Sequence, residues 1–514
     1  MIKNPELRRA MIVNRLDEHC KNGDAYLLIG EMYQLCLAAD PSLEEKVFRE
    51  DLATLIQSKF LFREGKRIYT FSAWYGENTA ADFLARLLMQ PPLNPVEVPL
   101  SIELENGIRL SEEQRNAVDM VMNNRISLVL GGPGTGKTTI IQALYQLGYC
   151  CSCEKLACAP TGKAVRNLIA HGVVPARTIH SALGMITADD EGCSPITWEG
   201  IKMILIDEVS MMTTQLLATL LLKVSDQCRL ILFGDDQQLP PIGPGNIIAD
   251  LCALGIPHIY LRDNHRLHDY AHCLANNVAH FDEMVSSNDL KSGESFEMIP
   301  VIDQLLAART AEEAARKIML RQDVQVICTH NAIAADINSK IRDIINPQAS
   351  NKYEIHCRSK VLRDGDRVLI TQNDRDRGCY NGDIGTLRIH RVGKDNLSYS
   401  IVLSQSRTIL WRGEAAVQQL RHLLLAYAIT VHRAQGSEYD YVMMPIAPWM
   451  HTMLTRNLLY TAISRARQQM LLYGDPNAVD MALAADLPPR RSMLVPKVHA
   501  LLQDSTSMPD SIPG

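Results

Sequence analysis

The stretch Gly131-Gly132-Pro133-Gly134-Thr135-Gly136-Lys137-Thr138-Thr139 decides how the chain is read. It fits the phosphate-loop pattern G-x-x-x-x-G-K-[ST]. Residues 126–130 (ISLVL) before it read as a buried strand, and 140–147 after it read as a helix. A glycine-rich loop in that setting can turn successive backbone N–H groups toward one anion. The helix start adds free donors and the positive end of its dipole. Gly132, Pro133, Gly134, Thr135, Gly136, Lys137, Thr138 and Thr139 are therefore expected to cradle a nucleotide, with Lys137 on the β- and γ-phosphates and the Thr138 hydroxyl on Mg²⁺. The loop by itself does not say what the nucleotide is used for.

Working outward, Leu110-Ser111-Glu112-Glu113-Gln114 opens the unit that carries the loop. Ser111 and Gln114 have capping-box spacing. The Gln114 amide can also donate to and accept from an adenine edge, so both readings stay open. Downstream, Thr161-Gly162-Lys163 stands at a second strand-to-helix turn, where a helix start can hold a phosphate, here that of a polynucleotide backbone. Residues 201–206 form another apolar strand, which ends in Asp207-Glu208, 70 residues past Lys137. In a parallel sheet, ligands collect at the carboxyl ends of strands. Asp207 is then placed to hold Mg²⁺ and Glu208 to polarise an attacking water. A further strand at 230–234 runs into Asp235-Asp236-Gln237-Gln238-Leu239-Pro240-Pro241, in which Gln238 suits the sensing of a γ-phosphate.

Composition sets the bounds. The 514 residues suit several domains of roughly 150 residues each. Apolar content of 46% and charged content of 21% are those of ordinary globular protein. No apolar run approaches the about 20 residues needed to span a bilayer, and the N-terminus lacks a signal-peptide core, so no membrane partner is expected. Thirteen cysteines without a framework spacing point to reduced thiols and a cytoplasmic location. Cys150, Cys151, Cys153 and Cys158 cluster, but no second Cys/His pair with zinc spacing follows, and they read as inert thiols. With a net charge of −6, any nucleic acid must be held by a local groove, not by a general basic field.

Gln114, GGPGTGKTT, APTGKA, TIHSALG, IDEVSM and GDDQQLPPIGPG, in this order and spacing, resemble the motor motifs of superfamily 1 helicases, closest to the RecD-like (exonuclease V α-subunit-like) family of the 5′→3′ group. The resemblance runs from about 110 to 475 and takes in Leu261-Arg262-Asp263-Asn264-His265-Arg266, AYAITVHRAQGSEYD at 426–440 and LLYTAISRAR at 458–467. It implies an α/β fold of two RecA-like motor domains with a small SH3-like β-barrel insertion and a mostly helical N-terminal domain. The expected layout is a helical, winged-helix-like unit over 1–100 and a first motor domain over 101–258, with a short insertion near 187–200. A second motor domain is expected over 259–345 and 419–480, the barrel over 346–418, and a tail over 481–514.

By the same resemblance, Arg266 and Arg465 face the γ-phosphate across the cleft, Glu438 lies near the ribose, and Thr161, Thr430, Val431 and His432 touch the backbone of single-stranded DNA. The implied activity is an ATP- and Mg²⁺-dependent helicase acting on single-stranded and forked DNA, alone or with protein partners in a repair or recombination complex. One departure, the short 187–200 stretch, keeps a second reading open, a nucleic-acid-stimulated ATPase that remodels or anchors a complex without unwinding. Leu267 follows Arg266 where relatives carry Gln, and the 187–200 stretch, where the family has its wedge hairpin, is short, with Trp198 its one aromatic residue. In the barrel, Arg375, Arg377 and Arg388 can line a strand channel or form a solvated basic face.

Overall fold

The computed structural model of the chain describes residues 4–91, 93–147, 154–185, 196–263, 272–349, 352–357, 360–372, 374, 377–392, 396–403 and 407–506. The phosphate-loop strand Ile126–Gly131 is buried along its whole length. It lies between Arg229–Gly234 and His258–Leu261 in a six-stranded sheet completed by Met203–Ile206, Lys155–Ala159 and Ala176–Thr178. Every pairing in this sheet is parallel. Alternate side chains enter opposite cores, which is why the strands read as unbroken apolar runs. Leu128 and Leu130 pack with Ile204 and Leu232 on one face, and Val129 packs with Ile141, Leu205 and Phe233 on the other.

A second parallel sheet has five strands, Phe296–Pro300, Ala466–Gly474, Tyr439–Ile446, Val324–Cys328 and Ala428–Thr430, in that order. The layout expected from sequence begins the second motor domain at 259. In the structure Leu128 pairs with His258 and Gly131 with Leu261, so the first sheet runs past that point. In the chain, between Val324–Cys328 and Ala428–Thr430, comes an antiparallel five-stranded unit packed around Trp411, Tyr399 and Leu387. Its edge strand Leu423–Leu425 pairs with Arg367–Ile370 and thus lies beyond 418.

At the N-terminus, helices Pro5–Lys21, Ile29–Ala39 and Glu45–Gln57 precede the hairpin Leu61–Glu64 and Arg67–Thr70. Ile12, Leu16, Met32, Phe48 and Ile68 give this unit its own core. The next helix, Phe71–Met89, behaves differently. Ala80, Leu84 and Leu87 enter the core of the first parallel sheet beside Leu217 and Leu220. Leu494 and Val498 of the last helix, Leu494–Thr506, join the same core. The ranges 1–100 and 481–514 therefore each contribute a helix to the first motor core, because both helices carry an apolar face that neither small terminal segment can bury alone. Among the described residues no helix is long and apolar enough to cross a membrane.

Candidate active site

The phosphate loop turns through Gly134 and Gly136, both at φ +85°, a conformation that strains any residue with a side chain. Lys137 begins the helix Lys137–Gln146, with its Nζ donating to the carbonyls of Gly131 and, at 2.9 Å, Gly132. The cation is thereby folded back over the loop. Thr135 is buried, and its hydroxyl donates to the Gly132 carbonyl at 2.8 Å. Gln114 forms the capping box, its N–H donating to Ser111 Oγ at 3.3 Å and its Oε1 accepting from the Ser111 N–H at 3.1 Å. The same side chain lines the nucleotide cleft, so the two readings of Gln114 are compatible.

Asp207 and Glu208 end the buried strand Met203–Ile206. The Glu208 backbone is left-handed at φ +56°, ψ 42°, rare for a residue with a long side chain. Its N–H donates to Asp207 Oδ1 at 2.9 Å. Burial, and after it the neighbouring Glu208 charge, raises the pKa of Asp207, while Lys137 works against the rise. A divalent cation would hold such a carboxyl ionised, and Asp207 and Thr138, which line the same cleft, offer oxygen donors of the kind that suit Mg²⁺.

The loop after the Arg229–Gly234 strand ties the two sheets together. Gln238 Nε2 donates to Asp235 Oδ2 at 3.0 Å, and the same oxygen accepts from the Tyr460 hydroxyl at 3.0 Å. Among the described residues Gln238 Oε1 is buried with no partner. Across the divide, the Leu239 N–H donates to Thr461 Oγ1 at 2.9 Å, Asn457 Nδ2 to the Gln237 carbonyl at 2.9 Å, and Gln435 Nε2 to the Leu239 carbonyl at 2.9 Å. Arg465 is buried and held by neutral acceptors: its Nε donates to the Thr461 carbonyl at 3.0 Å and an Nη to Ser464 Oγ at 2.9 Å. A methyl group added at Gly132 would lie 2.8 Å from the Tyr460 hydroxyl, so the loop and the second sheet are already in close approach.

One cleft of about 750 Å³ gathers Gln114, Gly132, Pro133, Gly134, Gly136, Lys137, Thr138, Thr139, Asp207, Glu208 and Gln238 from the first sheet with Glu438 and Arg465 from the second. Thr161, Thr430 and His432 do not line it. Thr161 caps the helix Gly162–Ala170, its Oγ1 accepting from the Ala164 N–H at 3.3 Å, and stands 3.4 Å from the position of a methyl on Gly436. Thr430 is buried at the start of the short helix Val431–Ala434. The pKa of half-buried His432 is lowered by burial and then by the Arg490 charge.

Lys163 stands at the start of the helix Gly162–Ala170. It lines the nucleotide cleft with its Nζ 5.1 Å from the centre of the Tyr439 ring, and burial lowers its pKa to about 8. Arg266, Leu267, Arg375, Cys150, Cys151, Cys153 and residues 187–195 lie outside the described residues. Arg377 donates to Asp374 at 2.9 Å and the exposed Arg388 is 3.9 Å from Asp364. Cys158 is buried in its strand, its thiol pushed up to about 12 by burial.

Sequence reasoning did not single out Asn457, Tyr460, Thr461 or Gln435. A signal was present for two of them, since Asn457 and Thr461 are four residues apart and share one face of the helix Arg456–Ile463, after which Arg465 follows.

Three known families match parts of this arrangement. Residues 109–290 match the AAA domain, 425–473 the UvrD-like helicase C-terminal domain, and 337–400 the SH3 domain of ATP-dependent RecD-like DNA helicases. The chain resembles the RecD-like helicases. The ATP-dependent RecD2 DNA helicase of Deinococcus radiodurans is 27% identical over 486 residues, covering 91% of this chain and 63% of that protein. The chain thus spans under two thirds of that relative's length. The RecD subunits of the RecBCD enzyme from Buchnera aphidicola and Mycobacterium tuberculosis are 24% and 27% identical, with 80% and 76% of their lengths covered and 80% and 79% of this chain. The RecD-like SH3 match ends at residue 400, so it takes in the strands Arg367–Ile370 and Ile384–Arg391 of the antiparallel unit but not Thr408–Arg412 or Leu423–Leu425. Among solved structures, Bacteroides Pif1 bound to single-stranded DNA overlaps with a TM-score of 0.47 at 20% identity, over 77% of this chain and 96% of that one.

Proposed function

We propose that the chain is an ATP-dependent DNA helicase, cytoplasmic, that moves 5′→3′ along single-stranded DNA and separates duplex ahead of it. The observation that carries this reading is the single cleft in which the phosphate loop, Asp207 and Glu208 of one parallel sheet face Glu438 and Arg465 of the other. In this reading the N–H groups from Gly132 to Thr139 and the Lys137 ammonium bind the phosphates, Gln114 contacts the base and Glu438 lies by the ribose. Asp207 and Thr138 hold Mg²⁺, which supplies charge neutralisation on the phosphates when bound. Glu208 takes a proton from the attacking water, and Gln238 reports the γ-phosphate to the loop behind it. Arg465, joined by Arg266, places positive charge on the phosphoryl oxygens. Because that charge comes from the second sheet, hydrolysis requires a closed cleft. Thr161 on one side and Thr430 and His432 on the other are assigned to the strand backbone, gripped in turn as the cleft opens and closes.

Strand displacement on 5′-tailed, 3′-tailed and blunt duplexes, in DNA and in RNA, with ATP and Mg²⁺, tests the reading. Unwinding of 5′-tailed DNA is the expected outcome, and activity confined to 3′ tails overturns the polarity. A second reading, an ATPase that remodels a complex without unwinding, draws on the relatives that are named as subunits of the RecBCD enzyme. Strand-stimulated hydrolysis with no displacement selects it.

A further inference from the structure

The N-terminal hairpin and the first turns of the helix after it carry a face that neither the nucleotide cleft nor the protein cores use. Phe60, Phe71 and Tyr75 are 66%, 54% and 42% exposed. Among the described residues these are three of the six exposed aromatic side chains, the others being Tyr260, Tyr353 and Trp449 on separate elements. The rings are ordered. Half-buried Trp74 stacks on Phe62 at 4.5 Å between centres, Phe62 meets Phe71 at 5.6 Å, and Phe71 stacks on Tyr75 at 5.5 Å with 24° between planes. The inner pair fixes the outer pair, which presents aromatic surface to solvent at little further cost in side-chain freedom.

Cations surround this run. Lys59, Arg63 and Lys66 are exposed. The local carboxylate, Glu64, accepts from Trp74 Nε1 at 2.8 Å and is paired with Lys497 at 3.0 Å. Glu64 is therefore committed elsewhere, and the face is positive in a chain of net charge −6. Flat rings beside uncompensated cations suit single-stranded nucleic acid, whose bases stack and whose phosphates pair. An acidic peptide would use the cations but leave the ring faces without a stacking partner.

The helix that carries Phe71 and Tyr75 is packed firmly onto the first sheet's layer. Gly76, next to Tyr75, is packed so closely that an added methyl would lie 3.0 Å from Gln215 Cα. Thr214 beside Gln215 is tight against Gly245. Arg490 donates to the carbonyls of Gly245 at 2.8 Å and Gly243 at 2.9 Å. His432 in turn lies within the electrostatic reach of Arg490. These contacts run through the buried Gly76 and Thr214, so they tie the helix that carries Tyr75 to the loop held by Arg490 through the protein interior.

We propose that Phe60, Phe71 and Tyr75, with Lys59, Arg63 and Lys66, form an accessory site for single-stranded nucleic acid outside the track through the motor. The site rests on the reading of the motor as a single-strand translocase. The test uses the full chain and oligothymidylates of increasing length. Phe71→Ala/Tyr75→Ala weakens binding of long strands about tenfold or more, as expected for two lost base stacks. Short strands that fill only the motor track, and ATP turnover without DNA, are unaffected. Arg63→Glu/Lys66→Glu, which alters exposed side chains only, reproduces the length-dependent loss and flattens the salt dependence by about 0.7 in log–log slope per phosphate contact removed. Photocrosslinking of a long strand carrying 5-iododeoxyuridine maps to Phe71 or Tyr75.

Unchanged affinity for every strand length in both double variants overturns the accessory site, and is also what a protein-docking patch would give. Crosslinks confined to the motor overturn it as well. If the unaltered chain binds no single strand of any length, the motor reading itself fails and takes the site with it.

Discussion

At the scale of single residues, the chemistry proposed for the cleft is separable by substitution. Lys137 is a cation folded onto the Gly131 and Gly132 carbonyls, poised where phosphate oxygens compete for it. Lys137→Ala is expected to lower ATP turnover by about 10²–10³-fold or more, in line with the loss of one oxyanion-stabilising donor. Near-normal turnover in a steady-state phosphate-release assay would remove the loop from the mechanism. Glu208 is different, because the role proposed for it begins only once nucleotide is bound. Glu208→Gln keeps the side-chain shape and the left-handed backbone, and should slow hydrolysis by about 10²–10⁴-fold while fluorescent-nucleotide affinity stays within a small factor. A large loss of affinity would show that Glu208 serves binding instead.

At the scale of elements, the last helix is a structural part of the core of the first parallel sheet. The region where helix Phe71–Met89, helix Ile247–Ala253 and the tail converge contains buried acid groups. Glu77 accepts from the Met493 N–H at 2.8 Å and lies 3.5 Å from Lys497. Asp250 stands nearby, and burial followed by the Glu77 charge raises its pKa from 3.8 to about 7. The folded chain therefore keeps a proton on Asp250 that the unfolded chain releases above 3.8. It follows that this group makes the protein less stable as pH rises from 3.8 to about 7, with no further change above. Asp250→Asn should flatten that portion of the stability profile. Denaturant midpoints at pH 5 and pH 8, compared between variant and unaltered chain, check this, and equal pH slopes would exclude Asp250 as the source.

At the scale of the whole molecule, the two parallel sheets act as one device only if a closed cleft is communicated to the strand. The contacts available for this are the bonds from Leu239 to Thr461, Asn457 to Gln237 and Gln435 to Leu239. Thr461→Val keeps the shape of the side chain and removes the hydroxyl that accepts from Leu239. The expected result is near-normal nucleotide affinity with a loss of several-fold in the stimulation of hydrolysis by single-stranded DNA. Stimulation equal to that of the unaltered chain would mean that this bond carries no coupling.

The sequence by itself determined the first half of the cleft. A glycine loop between an apolar strand and a helix, and a carboxylate pair after a second apolar strand, are local patterns set by backbone freedom and by the burial of both sheet faces. Gln114, Lys137, Thr138, Asp207, Glu208 and Gln238 were legible for that reason. Arg465 and Glu438 were not legible from pattern alone, and only resemblance to a known family brought them forward. Their place opposite the loop depends on how two sheets pack.

Tertiary structure alone decided the rest. Lys163 turned into the nucleotide cleft because Tyr439, 276 residues later, offers it a ring face. Leu494 and Leu84 share a core because each helix has an apolar stripe too small to form a domain of its own. His258–Leu261 joined the first sheet because the edge beside the phosphate-loop strand was there to be paired. Period and composition record which faces are apolar; which two faces meet is settled by shape and by the chain's freedom to return over hundreds of residues.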